Sequence, residues 1–213
     1  MNCAAVITAK RFTHAKQRLA GSVDEALRLE LVAAMLADVL ASVAGSRIVS
    51  VTIVVTGEPV AAELARQTGA EVVGDREDTS HSVAAVTGVD RAVELGADCV
   101  VLLPGDCPLL DPRELDRLLT GLPDPFVAIV PDRHGTGTNA LVLVPPKVIR
   151  PAFGEGSCER HQLIAREAGV PFAVEQVSSL SLDLDTPADI VALTTSLDLK
   201  GGHAVNTARV LGI

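Results

Sequence analysis

Residues 99–110 read CVVLLPGDCPLL, and this stretch decides the fold that we predict. Residues 99–103 are all apolar, which is typical of a strand buried on both faces of a parallel sheet. Gly105 and Asp106 follow, at the strand end where open α/β sheets bind ligands. The plainer interpretation is that Asp106 only stabilises a turn. Asp111 and Pro112 then predict the N-cap and first residue of a helix.

Similar apolar runs alternate with helical patterns along the chain. Strands are predicted at residues 3–9, 49–56, 71–74, 99–103, 126–131, 139–144, 174–177 and 179–185. Besides the helix that begins at Pro112, helices are predicted at residues 23–44, 58–68, 81–95, 146–153 and 158–168, and after Thr186. This order indicates one α/β domain, residues 1–197, whose mostly parallel central sheet is covered by helices on both faces. Residues 198–213 are predicted to be a loosely held C-terminal tail.

The composition excludes several classes of protein. The 213 residues carry 18 Lys and Arg against 27 Asp and Glu, a net charge of −9, and include no Trp or Tyr. Because nucleic-acid-binding surfaces are usually basic and often aromatic, we expect no nucleic-acid partner. No apolar run approaches the roughly 18 residues of a membrane span, and residues 1–11 do not resemble a signal peptide. Four cysteines without C-x-x-C spacing favour a reduced, cytoplasmic setting.

Asp183 and Asp185 form a second candidate site. Strict alternation over residues 179–185 places both carboxylates on one face, where they repel each other. A divalent cation relieves that repulsion, and Mg²⁺ prefers oxygen ligands. The alternative is a solvated strand face whose second aspartate caps the next helix. Together with Asp106, the pair predicts one metal site.

A basic loop follows the first strand, where a triphosphate binds in a crevice-binding fold. Its cations are Lys10, Arg11, Lys16 and Arg18, although a solvated basic loop explains any one of them alone. The chain has neither G-x-G-x-x-G after this strand nor G-x-x-x-x-G-K-[ST], which disfavours a dinucleotide-binding dehydrogenase and excludes a P-loop protein.

Two segments rich in Gly, Ser and Thr are candidate anion sites. They are residues 135–139 (GTGTN) and 153–157 (FGEGS). Both offer backbone N–H groups and hydroxyls without bulk, and Ser157 precedes a predicted helix whose N-terminus favours phosphate. Ordinary hairpin and capping chemistry explains either segment alone.

Taken in order, these motifs resemble the 2-phospho-L-lactate and phosphoenolpyruvate guanylyltransferases of coenzyme F-420 biosynthesis. The resemblance runs from about Val6 to Leu193. Its segments are residues 9–10, 15–20, 105–109, 132–141, 153–154 with 157, and 183–189. The G-D-x-P-L segment is common to many nucleotidyltransferases, whereas G-T-G-T-N combined with D-x-D-T-P-x-D is much more specific.

The resemblance implies a single-domain nucleotidyltransferase fold of the GT-A-like, Rossmann-like type. It implies that GMP passes from GTP to the phosphate of a small phosphorylated three-carbon acid and that pyrophosphate leaves. It assigns Mg²⁺ to Asp106, Asp183 and Asp185, and acceptor phosphate to Thr138, Gly154 and Ser157. Catalytic roles fall to Asp106, Lys16 and Arg18. The predicted nucleotide-binding residues are Lys10, Arg11, Lys16, Arg18, Ser82 and Gly105.

Ser82 marks a departure from the family pattern. It stands where many relatives carry the Asn of a Leu-Asn element that faces the nucleotide, so recognition of base and ribose stays open. The acceptor also stays open among phosphoenolpyruvate, 2-phospho-L-lactate and a phosphoglycerate.

Two other functions remain as alternatives. One is a related nucleotidyltransferase for another cofactor or a sugar phosphate, and the other is a non-catalytic nucleotide-binding domain. A homodimer, and a downstream transferase that receives the product, are further hypotheses.

Overall fold

The computed structural model describes residues 1–16, 24–200 and 203–213, and within them seven strands form one sheet. The strands are β1 (Cys3–Ala9), β2 (Val49–Thr56), β3 (Glu71–Gly74), β4 (Cys99–Pro104), β5 (Phe126–Pro131), β6 (Thr138–Val144) and β7 (Phe172–Val174). The helices are α1 (Glu25–Ala44), α2 (Pro59–Gln67), α3 (His81–Glu94), α4 (Pro112–Leu119), α5 (Ser157–Glu167), α6 (Pro187–Lys200) and α7 (Val205–Leu211).

The strand order is β3-β2-β1-β4-β6-β5-β7. Strands β1 to β4 pair in parallel, β6 runs antiparallel to β4 and β5, and β7 is parallel to β5. The predicted mostly parallel sheet is therefore confirmed. Since β1 and β4 are parallel neighbours, the loops after them meet at one edge of the sheet, where the candidate residues lie.

Helices cover both faces of the sheet, as predicted. Alternate β1 residues enter two cores, Ile7 on one face and Val6 on the other. Helices α1, α2, α4 and α6 contribute to the first core, while α3 and α5 contribute to the second. Helix α3 comes very close to β1, because a Cβ on Gly88 would lie 2.2 Å from Val6 Cγ1. This packing holds the N-terminus of α3 near the carboxyl end of β1.

The predicted N-cap of α4 is confirmed: the Asp111 carboxylate accepts from the Arg113 N–H at 2.7 Å, and Pro112 begins the helix. The predicted helix at residues 146–153 is wrong, since this segment consists of turns and irregular backbone. Pro151 explains the difference, because a proline inside that helix has no N–H to donate and disfavours helical backbone at the residue before it.

Residues 179–185 do not form the predicted strand. A 3-10 turn covers Ser178–Leu180, and irregular backbone follows. The alternation in burial nevertheless holds, because Leu180, Leu182 and Leu184 all enter the first core. The strand predicted at residues 174–177 lies earlier, as β7, Phe172–Val174.

The C-terminal segment is packed where a loose tail was predicted. Helix α6 continues beyond residue 197, and α7 follows within residues 203–213. The buried Asp38 carboxylate of α1 accepts from the N–H groups of Asn206 and Thr207, at 2.9 and 2.8 Å, and from the Thr207 hydroxyl at 2.7 Å. A carboxylate at a helix N-terminus is favourable, so this contact fixes α7 on α1. No helix in the described part of the chain has the length and apolar character to cross a membrane.

We expect Asp38→Ala to lower the free energy of unfolding by about 2–4 kcal/mol, because it leaves buried N–H donors of α7 without an acceptor. Urea denaturation measures this change. Glu30→Ala, exposed on the same helix, is the matched control and should cost less than about 0.5 kcal/mol. Equal, small effects of the two substitutions would contradict the assigned role of Asp38.

Candidate active site

The candidate site lies beyond the carboxyl ends of β1 and β4. The Lys16 ammonium contacts Asp106 Oδ2, after β4, and Asp185 Oδ1, after the 3-10 turn. Only 7% of the Lys16 side chain is exposed, against 29% for Asp106 and 43% for Asp185. Three residues that are distant in sequence therefore meet in one ion-pair cluster.

The charge state of Lys16 follows from these contacts. Burial lowers its pKa, but the carboxylates of Asp106 and Asp185 outweigh burial and raise the pKa above its ordinary value. Lys16 is consequently a fixed positive charge at neutral pH and does not act as a proton acceptor there.

Asp183 lies beside this cluster without an ion-pair partner in the described residues. Its Oδ1 accepts from the Asn139 amide at 3.3 Å, and Asn139 also donates to the Leu180 carbonyl at 2.8 Å. Burial and the negative charge of Asp106 raise the pKa of Asp183, with a smaller contribution from Asp185. The carboxylates of Asp106, Asp183 and Asp185 therefore carry more negative charge than the single Lys16 ammonium balances.

These residues fit a divalent cation in their chemistry. Asp106 Oδ1 is buried and has no hydrogen-bond partner among the described residues, so it retains free lone pairs. Within residues 1–16, 24–200 and 203–213, however, no three His, Cys, Asp or Glu side chains already surround one metal position. Lys16 instead lies between two of the predicted ligands, and the metal assignment stays a prediction.

Asp189 holds the segment that carries Asp185. Its carboxylate accepts from the N–H groups of Asp185 and Thr186, at 3.0 and 2.6 Å, and pairs with Arg133 at 2.6 Å. Burial raises its pKa, but these hydrogen bonds and the Arg133 charge lower the pKa below its ordinary value. Asp189 lies three residues after Thr186, so its contact with the Thr186 N–H is the acidic half of a capping box.

Arg28 of α1 holds the loop that carries Lys16. Its buried guanidinium donates to the carbonyls of Phe12, at 3.0 Å, and Ala15. This role could not be predicted from the sequence, because Arg28 looks like any other polar residue of a helix. Asp189 and Arg28 are thus supporting residues that motif analysis did not select as site residues.

The predicted acceptor residues lie in three connected segments. Thr138 Oγ1 is 3.0 Å from His161 Nδ1, and His161 belongs to α5, which begins at Ser157. The Ser157 N–H donates to the Gly154 carbonyl at 3.1 Å. Gly154 has φ +115°, a conformation that favours glycine. The structure therefore connects Thr138, Gly154 and Ser157 through one helix N-terminus and its preceding loop.

The predicted nucleotide-binding residues differ in their exposure and in their contacts. Lys10 is exposed, and the Arg11 N–H donates to Asp78 at 3.2 Å. Gly105 packs against Leu36 of α1. The Ser82 hydroxyl donates to the Phe153 carbonyl at 3.4 Å, so it contacts the acceptor-side loop. Arg18 lies outside the described residues, and the nucleotide assignments stay predictions.

Two histidines that contact Phe153, the half-buried His81 and the buried His161, were not identified from the sequence. His81 stacks on Phe153 with ring centroids 4.5 Å apart, and His161 meets its edge at 5.2 Å. The Thr8 hydroxyl lies within 3.3 Å of both ring nitrogens of His81. Burial lowers the pKa of both histidines, that of His161 to about 4.

The low pKa of His161 predicts a pH dependence of stability. As the pH falls below 6.5, His161 becomes protonated in the unfolded chain, whereas in the folded protein it stays neutral until about pH 4. The free energy of unfolding therefore decreases as the pH falls across this range. Between pH 7 and pH 5 we expect His161 to account for a loss of roughly 1–2 kcal/mol.

Urea denaturation at the two pH values measures this loss. His161→Asn should show a smaller loss than the wild-type protein, and His134→Asn, at an exposed histidine, should keep the wild-type value. An unchanged loss in His161→Asn would show that the pKa of His161 is not lowered in the folded state.

Comparisons with known proteins identify the family. The family model described as "Guanylyl transferase CofC like" matches residues 3–213. A phosphoenolpyruvate guanylyltransferase of Conexibacter woesei is 41% identical, over 99% of this chain and 96% of that protein. One of Sphaerobacter thermophilus is 37% identical, over 96% of this chain and 95% of that protein.

Solved structures show the same fold at low sequence identity. A Methanothermobacter nucleotidyl transferase has a TM-score of 0.69 at 20% identity and covers 93% of this chain and 98% of its own. A CMP:2-keto-3-deoxy-manno-octonic acid synthetase, in complex with CTP, has a TM-score of 0.65 at 16% identity and covers 94% and 100%. The predicted nucleotidyltransferase fold is therefore confirmed, and the chain belongs to the CofC-like guanylyl transferase family.

Proposed function

We propose that the chain transfers GMP from GTP to the phosphate of phosphoenolpyruvate and releases pyrophosphate. The observation that carries the proposal is the cluster of Lys16, Asp106 and Asp185, beside Asp183, at the carboxyl ends of β1 and β4. The choice of acceptor follows the names of the relatives, two of which match nearly the whole chain.

The reaction depends on neutralising the negative charge of its substrates more than on proton transfer. An acceptor phosphate oxygen forms a bond to the α-phosphorus of GTP, and the bond from that phosphorus to the oxygen between the α- and β-phosphates breaks. Pyrophosphate leaves with that oxygen. The attacking oxygen is already anionic, so no general base is required. The difficulty is that two polyanions must approach each other in line.

Lys16 supplies a positive charge that persists at neutral pH, because its pKa lies above the ordinary value. Placed between Asp106 and Asp185, its ammonium is available to stabilise charge on the departing pyrophosphate. Lys10, Arg11 and Arg18 would add positive charge around the GTP phosphates. Gly105 would let the nucleotide approach the backbone after β4, and Ser82 would lie near it at the start of α3.

Asp106, Asp183 and Asp185 would hold Mg²⁺, which when bound neutralises phosphate charge and aligns the reacting groups. The free lone pairs of the buried Asp106 Oδ1 support this assignment. Asn139 keeps Asp183 in place from one side, and Asp189 fixes the backbone of Asp185 from the other. Rigid placement matters because a small displacement of a positioning group costs much of the rate.

The acceptor would bind where β6 meets the N-terminus of α5. Thr138 offers a hydroxyl, Gly154 a backbone without a side chain, and Ser157 the first turn of a helix. The helix N-terminus favours an anion there. A homodimer and a downstream transferase that takes the product remain predictions.

The direct test is pyrophosphate release by the purified protein with Mg²⁺. GTP, CTP, UTP and ATP are each supplied with phosphoenolpyruvate, 2-phospho-L-lactate or 3-phosphoglycerate. We expect release with GTP and phosphoenolpyruvate above all other pairs. Release with CTP and no preference for GTP would contradict guanylyl transfer, and no release with any pair would favour a non-catalytic nucleotide-binding domain.

We expect Asp106→Ala to reduce kcat at least 1,000-fold, roughly the effect of removing a main electrostatic group, while the protein still folds. The initial rate of pyrophosphate release and the circular dichroism spectrum measure both properties. Asp90→Ala, at an exposed residue of α3 outside the site, is the control and should keep the wild-type rate. Near-normal activity of Asp106→Ala would remove Asp106 from the mechanism.

A further inference from the structure

His161 is fully buried, and each of its two ring nitrogens has one hydrogen-bond partner. The Nε2 atom lies 2.9 Å from the backbone nitrogen of Ala152. The Nδ1 atom lies 3.0 Å from Thr138 Oγ1, in the predicted acceptor site. One side chain therefore connects α5, the loop before α5 and the start of β6.

These two contacts determine which ring nitrogen carries the proton. A backbone N–H can only donate, so Nε2 must accept from Ala152 and is unprotonated. A neutral imidazole then has its proton on Nδ1, which donates to Thr138 Oγ1. Burial and the positive charge of the neighbouring Arg160 keep the ring neutral, since they lower its pKa to about 4.

The tautomer in turn determines what Thr138 offers to a ligand. Its hydroxyl oxygen accepts from His161, so the hydroxyl proton is directed elsewhere. Thr138 is half-buried at the start of β6. A phosphate or carboxylate oxygen carries no proton and needs a donor, which this hydroxyl supplies.

We propose that His161 is a positioning residue, which holds the Thr138 hydroxyl as a hydrogen-bond donor to an anionic oxygen of the acceptor. This inference rests on the acceptor site of the proposed function and adds the residue that orients it. His161 itself stays behind Thr138 and does not touch the acceptor.

The contact with Thr138 can be tested separately from the contact with the loop. Arg160 also holds this loop, because its guanidinium donates to the carbonyls of Ala152 and Glu155, at 2.9 and 2.6 Å. The loop thus keeps two anchors when the Nε2 contact is altered. A substitution that removes only the Nδ1 donor should change Thr138 without releasing the loop.

Two substitutions of His161 form a matched pair. His161→Gln places an amide near the Nε2 position and can still accept from Ala152, but it loses the donor to Thr138. His161→Asn places its amide near the Nδ1 position and keeps a donor to Thr138. Calorimetry gives the Kd for phosphoenolpyruvate without turnover, and steady-state rates give kcat and both KM values.

We expect His161→Gln to raise the Kd and KM for phosphoenolpyruvate about tenfold, the usual effect of one hydrogen bond to a charged group. The KM for GTP should stay within about twofold, since neither hydrogen bond of His161 reaches a predicted nucleotide-binding residue. His161→Asn should bind phosphoenolpyruvate at least threefold more tightly than His161→Gln. Equal losses in the two variants would assign His161 a packing role and overturn the proposal.

A double-mutant cycle with Thr138→Val provides the second test. If His161 acts through the Thr138 hydroxyl, adding His161→Gln to Thr138→Val should change the Kd for phosphoenolpyruvate by less than about twofold. Additive losses would show that His161 acts by another route and would contradict the proposal.

A measurement on the wild-type protein covers the case in which a variant does not fold. The ¹⁵N chemical shifts of the His161 ring identify the protonated nitrogen, and we expect Nδ1–H at pH 7. An Nε2–H tautomer overturns the proposal. Failure of the proposed function is a separate result, namely binding of phosphoenolpyruvate without pyrophosphate release, whereas no binding to the wild-type protein contradicts both.

Discussion

The ion-pair cluster of Lys16 with Asp106 and Asp185 is the interaction on which the rest of the site depends. It joins the loop after β1, the end of β4 and the segment before α6, which are far apart in the sequence. The Leu184 N–H adds a backbone contact to the Asp106 carbonyl at 3.2 Å. Lys16 places a positive charge between like charges and so offsets their repulsion. In the reaction that we propose, Mg²⁺ would offset the same repulsion.

A second group of residues is organised around Phe153. His81 and His161 contact its ring, Ser82 donates to its carbonyl, and His161 reaches Thr138. These contacts link the N-terminus of α3, next to the carboxylate cluster, with the N-terminus of α5. The two predicted halves of the site, one for the nucleotide and one for the acceptor, are therefore packed against a common aromatic side chain.

The sequence predicted the sheet well, because its buried strands are short apolar runs, most of which end at or next to Gly, Pro or Asp. Asp106 could be selected because it follows a buried strand at the ligand-binding edge of the sheet. Asp183 and Asp185 could be selected because two carboxylates on one face suit a divalent cation. The prediction of a helix at residues 146–153 was wrong because it followed the spacing of apolar residues and gave too little weight to Pro151, which disfavours a helix. Residues 179–185 show that alternating burial can exist without strand pairing. Arg28 contacts the Phe12 carbonyl and His161 contacts the Thr138 hydroxyl across 16 and 23 residues of sequence, and a local pattern does not contain that information.

We infer that Asp106, Asp183 and Asp185 require a positive charge between them, part of which Lys16 supplies. Thermal unfolding of the wild-type protein and of Lys16→Met, each with a chelator and with Mg²⁺, tests it most directly. We predict that Lys16→Met has a lower Tm than the wild-type protein in the chelator, because the carboxylates then repel one another without compensation. Mg²⁺ should raise the Tm of Lys16→Met by more than it raises that of the wild-type protein. The inference would be contradicted if Lys16→Met had the same Tm as the wild-type protein and Mg²⁺ changed the Tm of neither protein.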